Sequence, residues 1–213
     1  MDEKYLKLAR EARQEENCDD AKKYYEMVRV DDPENGEAKF FYTYYCIYQG
    51  TNGELPQRFV NLCNVLEASI KKISESSESN EEKLKVVDDI ANAFVPYTWN
   101  TYNFMYKIYM THEIFSCNEF HAVIMSEITG CYVLGDVIEM YFNSNNDFLK
   151  IAAKSWKEGI ALQQKRYIAF SSGYYDDATA LDRYASKIQK VDPSYVIPTK
   201  EPKQDCLQSS NKK

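Results

Sequence analysis

Glycine and proline are scarce: seven glycines and six prolines occur in 213 residues. Sheet proteins use both residue types in frequent turns. Their shortage, beside long stretches of Glu, Lys, Ala and Leu at helical spacing, argues against a β architecture and predicts an all-α chain. No Cys-x-x-Cys pair occurs among the six cysteines at 18, 46, 63, 117, 131 and 206. Ribbon-type zinc chelation and dithiol chemistry both need two sulfurs within a turn of chain, so neither is expected. No basic block is present, and the net charge of −7 would repel a phosphate backbone, so no nucleic-acid partner is expected. A long uncharged apolar run is also missing. The most apolar segment, HAVIMSEITGCYVLGDVIEMYF, carries Glu127, Asp136 and Glu139, each expensive at a bilayer centre, so it reads as a buried helix and not as a membrane span. The start, MDEKYLKLAR, has no apolar stretch of secretory length, and a cytoplasmic protein with reduced cysteines is the expectation. There is no GxSxG, phosphate-binding glycine loop or dinucleotide fingerprint, so no enzyme class and no cofactor are indicated.

What the chain has in quantity is tyrosine, eighteen in all. Such rings fill gaps between helices while their hydroxyls reach water. The periodicity predicts a first helix over about 2–16, with Tyr5, Leu8, Ala9 and Ala12 inward, and a second, capped by Asp19 or Asp20, to about Asp31. Pro33 separates these from a third helix over about 35–49, which Gly50 ends. A fourth begins at Leu55 or Pro56 with Phe59, Val60, Cys63, Val65, Leu66 and Ile70 on its apolar side. The SESSESN stretch reads as a flexible loop, too polar to pack. A long helix from Glu81 is expected to kink or break at Pro96 before YTWNTYNFMYKIYMTHE continues it. A sixth helix, capped by Ser116 or Asn118, ends near Phe142; a seventh covers about 148–170; an eighth, DDATALDRYASKIQKV, stops at Asp192 and Pro193. The expected organisation is a helical unit over 1–50, a bundle or irregular solenoid extension over 54–196, and a disordered tail over 197–213.

Residues 5–33, YLKLAREARQEENCDDAKKYYEMVRVDDP, alternate small and large residues as two antiparallel helices ending at a proline. Ala9, Ala21, Tyr25 and Pro33 resemble the size pattern of the tetratricopeptide repeat, with Tyr5 and Ala12 departing from its usual Trp and Tyr. The resemblance covers residues 1 to about 49, one unit and the first helix of another. A second, eroded copy at an offset of 160 would put Ile168 on Leu8, Ala169 on Ala9, Ile188 on Val28 and Pro193 on Pro33, but fails at Ala12 and Tyr25, where Ser172 and Ala185 fall, and any helical hairpin ending in Asp-Pro is the alternative reading. The chain is also similar to helical regions of uncharacterised proteins from anaerobic Gram-positive bacteria, in which an N-terminal zinc ribbon often precedes the helices; this chain has no ribbon. The resemblance implies antiparallel hairpins and a non-catalytic protein that holds a protein or peptide. It implies a concave groove lined by Leu6, Arg10 and Arg13, then by Phe40, Tyr44 and Ile47 one unit later. Two arginines beside two aromatic rings in an acidic protein imply an acidic segment with apolar anchors as the partner. Reversing both arginine charges is then expected to weaken capture and leave folding unchanged.

Other constellations have plainer readings. His112, Glu113, Cys117 and His121 gather ligand-type side chains within ten residues, but their spacing matches no familiar metal site, and a metal-dependent enzyme there is the remotest alternative. The pairs Asp31–Asp32, Asp88–Asp89 and Asp176–Asp177 point about 100° apart if helical, which suits caps and solvated faces better than acid–base work. In FVPYTWNTYNFMYKIYM, Phe94, Trp99, Tyr102, Met105, Tyr106 and Tyr109 form a stripe read chiefly as core. Its alternative is the wall of a pocket for a small apolar ligand between Pro96 and Tyr109.

Overall fold

The computed structural model describes residues 3–49, 55–111, 117–169 and 178–198. Among the described residues the chain is all-α: α1 Glu3–Gln14, α2 Cys18–Asp31, α3 Gly36–Tyr48, α4 Leu55–Glu75, α5 Asn80–Thr111, α6 Cys117–Phe142, α7 Asn146–Ala169 and α8 Ala178–Val191. None of these helices is long and apolar enough to cross a membrane. The helices α1 to α4 pack each on the next; α4, α5 and α6 then meet, α7 lies along α5 and α6, and α8 packs on α7. One cluster of buried residues runs from Ala9 to Ile188.

The corner between α1 and α2 is tight for a local reason. Glu16 takes a left-handed φ of 57°, Glu16 N donates to Arg13 O at 3.2 Å, and Asn17 N donates to Ala12 O at 2.9 Å. This is the Schellman arrangement, with a glutamate where glycine is favoured. Asn17 then caps α2, its side chain accepting from Asp20 N. The cap expected at Asp19 or Asp20 is thus supplied two or three residues earlier, by Asn17. Ala9 and Ala12 on α1 and Ala21 on α2 are all buried where these helices pack, so small side chains let the backbones approach. Below them Tyr25 is fully buried and stacks on Phe41 of α3 at 5.3 Å between ring centroids.

Pro33 ends the second helix as expected, and Asn35 caps α3, accepting from Ala38 N at 2.9 Å. The first residue of α3, Gly36, lies so close to α4 that a methyl group there would run into the Ser69 carbonyl oxygen. Gly135 serves the same purpose in α6, where a methyl would meet the Trp156 indole of α7. That indole donates to Asp136 Oδ1 at 3.1 Å, and Asp136 also accepts from Tyr184 at 2.9 Å and Lys187 at 2.7 Å. One carboxylate therefore ties α6, α7 and α8 together.

Two expectations are corrected. The SESSESN stretch is a defined short turn: Ser79 Oγ accepts from Glu82 N at 3.2 Å, and Glu82 Oε2 accepts from Ser79 N at 3.0 Å. This capping box satisfies the polar groups locally, and Lys83 Nζ adds a bond to Ser74 O at 2.9 Å, so no apolar core is needed to order it. Of the kink or break expected at Pro96, the break is absent: α5 runs through that residue from Asn80 to Thr111. A mid-helix proline costs about 3 kcal/mol, whereas Phe94, Tyr97 and Tyr102, all buried on either side of it, contribute roughly 1.5–3 kcal/mol each. Packing outweighs the lost hydrogen bond.

The two Asp-Pro turns share their geometry at the 160-residue offset. Asp32 N donates to Val28 O at 2.7 Å and Asp192 N to Ile188 O at 2.8 Å; Asn35 N returns to Asp32 O at 3.1 Å and Tyr195 N to Asp192 O at 3.0 Å. Each aspartate side chain also accepts from the amide two residues on, at 3.2 Å in both turns. The tail after Pro198 and the Ser171–Asp176 segment lie outside the described residues.

Candidate functional site

The first turn of α3 places a carboxylate, Glu37, next to free helical amides, where the helix dipole favours negative charge. It is 3% exposed. Arg10 of α1 meets it with two nitrogens, Nε at 3.0 Å and Nη2 at 2.5 Å from Oε2, and Tyr25 donates to Oε1 at 2.9 Å. Burial works against the Arg10 charge, yet the hydrogen bonds to Glu37 and the fields of Glu37 and Glu78 raise its pKa above the ordinary value. Arg13, one turn on, lies 3.7 Å from Glu37 and hydrogen-bonds Asp89 of α5, with its guanidinium 4.2 Å from the centroid of the Phe41 ring. Burial raises the Asp89 pKa, and Arg13 works in the opposite direction. Burial and then the charge of Glu37 push the Tyr25 hydroxyl well above its usual value, so it remains a donor.

Above this knot opens a cleft of about 860 Å³. Leu6, Arg10 and Gln14, at four-residue steps, give one wall from α1; Asn35, Gly36 and Glu37 give the floor; Lys72, Ile73 and Ser76 at the end of α4 give the other wall, with Glu78 and Glu82 at the rim. Lys72 pairs with Glu34 across the mouth, a hydrogen bond that raises the lysine pKa and lowers the glutamate's. Seven carboxylates line the cleft against three basic side chains, Lys7, Arg10 and Lys72. Leu6 and Ile73 supply its apolar surface. The acidic side chains therefore outnumber the basic ones around the cleft.

The six residues expected to line one groove do not share a surface. Leu6 and Arg10 line the cleft, Arg10 already engaged with Glu37 and with Glu78 at 3.5 Å. The Arg13 side chain, 13% exposed, lies within the protein. Phe40 is fully buried and Ile47 is 6% exposed, while Tyr44 is partly buried, 6.2 Å from Phe40 and 6.0 Å from Tyr97 between centroids. The reason is that α4 and α5 both pack on α3, with Tyr44 against Tyr97 of α5 and Arg13 held between Phe41 and Asp89. Glu37, Asn35, Lys72 and Glu78, which do shape the cleft, were not singled out by sequence; the only local signal was the Asn35 cap position three residues before Ala38.

The remaining constellations resolve separately. Phe94, Tyr102 and Met105 of the aromatic stripe are buried, Tyr106 is packed against the core, and Trp99 stands at the edge of a cavity of about 400 Å³ between α5 and α7. The Tyr109 side chain lies outside the described set, as do His112, Glu113 and the side chains of Cys117 and His121. Among the described residues no three His, Cys, Asp or Glu side chains are placed to hold a metal ion. Asp32 closes a turn, Asp88 accepts from Asn92 at 2.9 Å, and Asp89 pairs with Arg13. Asp176 and Asp177 lie outside the described residues. Comparison of the chain with family models, with curated proteins and with solved structures returned no match.

Proposed function

We propose that this chain is a non-catalytic binding protein that holds a segment of another polypeptide in the cleft between α1 and the end of α4. The observation that carries the reading is the cleft itself: about 860 Å³ of concave surface on a floor fixed by the Arg10–Glu37 pair. Such a volume lies within the range of roughly 300–1,000 Å³ of built binding pockets. The surplus of carboxylates selects a basic segment with an apolar side chain between Leu6 and Ile73. The acidic partner expected from Arg10 and Arg13 loses its basis, because both guanidinium groups are neutralised internally. The hairpin α1–α2 and the start of α3 support kinship with the tetratricopeptide repeat, and cysteines without a chelating pair support a reducing, cytoplasmic setting.

Glu11 and Glu75 are exposed on opposite walls, Glu11 paired with Lys7 and Glu75 with Lys71, each one turn away on its own helix. The variant carrying Glu11→Lys and Glu75→Lys is expected to fold as the parent does and to capture at least about tenfold less partner from an extract of the source cell, a difference of about 1.4 kcal/mol. Equal capture by the two proteins would move the binding surface elsewhere.

A further inference from the structure

A second cavity, independent of the cleft, lies between α5 and α7 and has a volume of about 400 Å³. Short side chains create it: Ala91 and Pro96 on α5 face Ser155 on α7. Longer side chains bridge the helices at both ends. Lys154 Nζ donates to Asn92 Oδ1 at 2.9 Å, and Trp99 Nε1 donates to Glu158 Oε2 at 2.7 Å. The two bridges hold the helices at the spacing that leaves the space between them.

Three features decide what fits. The walls at Val95, Pro96 and Trp99 are apolar. Pro96 has no amide hydrogen, so the Asn92 carbonyl lacks the donor that the residue four places on supplies elsewhere in a helix. Lys154 and Glu158 stand one turn apart at the rim with opposite charges, and each retains capacity: an ammonium has three donors and a carboxylate about four acceptor sites. Their charges cancel, which disfavours a ligand with net charge. The volume, at the lower end of the roughly 300–1,000 Å³ range for ligand sites, admits one or two fused rings.

The geometry points to a small-molecule site that takes an uncharged one- or two-ring heteroaromatic compound. Its ring packs against Trp99 and Pro96, a ring N–H meets the Asn92 carbonyl or the Glu158 carboxylate, and a ring nitrogen faces Lys154.

The chain contains its own reference for the test. Of its two tryptophans, Trp99 edges the cavity, while Trp156 is 1% exposed and points from α7 toward Asp136 and Tyr184. Benzimidazole titrated into the nitrogen-15-labelled full chain should shift the Trp99 indole resonance saturably, with a Kd of about 1 mM or tighter, and leave that of Trp156 in place. Pro96→Leu restores the missing amide and fills the space. It should keep the helical circular dichroism and weaken binding by about tenfold or more. Benzoate and benzylamine, the charged comparators, should bind more weakly than benzimidazole. The inference is overturned by the absence of a saturable Trp99 shift, by equal shifts of both indoles, by unchanged affinity in folded Pro96→Leu, or by tighter binding of either charged comparator.

Discussion

The Arg10 guanidinium grips the buried carboxylate of Glu37 from 27 residues away, through Nε at 3.0 Å and Nη2 at 2.5 Å. The pair joins the outer helix of the first hairpin to the first turn of α3. It forms the floor of the cleft, so it is a structural contact first.

Removing one partner leaves the other charge buried, which costs about 3–5 kcal/mol. Glu37→Ala should lower the unfolding free energy by that order in a urea titration, because Arg10 and Tyr25 lose their acceptor and Arg13 loses a carboxylate 3.7 Å away. The Arg10→Glu with Arg13→Glu double variant, expected from sequence to fold normally, should unfold, since it sets new carboxylates against Glu37 and Asp89. Parent-like melting of either variant contradicts the assignment.

Glu16 occupies a left-handed conformation without being glycine. Glu16→Gly should stabilise the protein by about 1 kcal/mol, the cost of an L side chain in that region. Its side chain is exposed, so no packing is lost in exchange. A lowered midpoint in urea would count against the Schellman corner.

Ala21 is fully buried between α1 and α2. Ala21→Arg forces both volume and charge into that crossing and should cost several kcal/mol, about 1–3 for overpacking and more for the charge. Thermal unfolding within a degree of the parent would show that the two helices do not pack there.

These small residues explain why the hairpins were legible in the sequence. Ala9, Ala12, Ala21 and Pro33 act locally, through helical period and backbone geometry, and such signals survive in a linear reading. The site was legible only in part. The pairing of Arg10 with Glu37 spans 27 residues and that of Arg13 with Asp89 spans 76, and no local pattern reports contacts at such separations. In α3, GEAKFFYTYYCIY is apolar on nearly every side because α2 and α4 pack on it, so period alone could not separate a groove face from a core face. The Asn17 cap was obscured by two aspartates following it, either of which has the right chemistry.

Several tyrosines supply a pH signature. Burial, followed by the charge and hydrogen bond of Asp136, pushes the Tyr184 hydroxyl up to about 12; burial likewise pushes Tyr45 up to about 12. Tyr25 and Tyr44 are also raised. A folded pKa above the unfolded value of about 10 means that the stabilisation is complete below pH 10 and is lost as pH rises through the folded value. Alkaline titration followed by tyrosinate absorbance should therefore show the raised set, Tyr25, Tyr44, Tyr45 and Tyr184, ionising late and cooperatively, with loss of helical circular dichroism as pH approaches about 12. A single smooth curve centred near 10 with the helices intact would contradict these burials.

The central claim is that the cleft beside Arg10 holds a basic segment of a partner. Its most direct test is photo-crosslinking in an extract of the source cell from a reactive residue placed at Gln14, an exposed residue on the cleft wall, and in parallel at Met140, 61% exposed on α6. The account predicts partner adducts from position 14 and none from position 140, with the crosslinked peptides rich in lysine and arginine. Adducts from position 140 alone, equal yields from both positions, or acidic crosslinked peptides would contradict it.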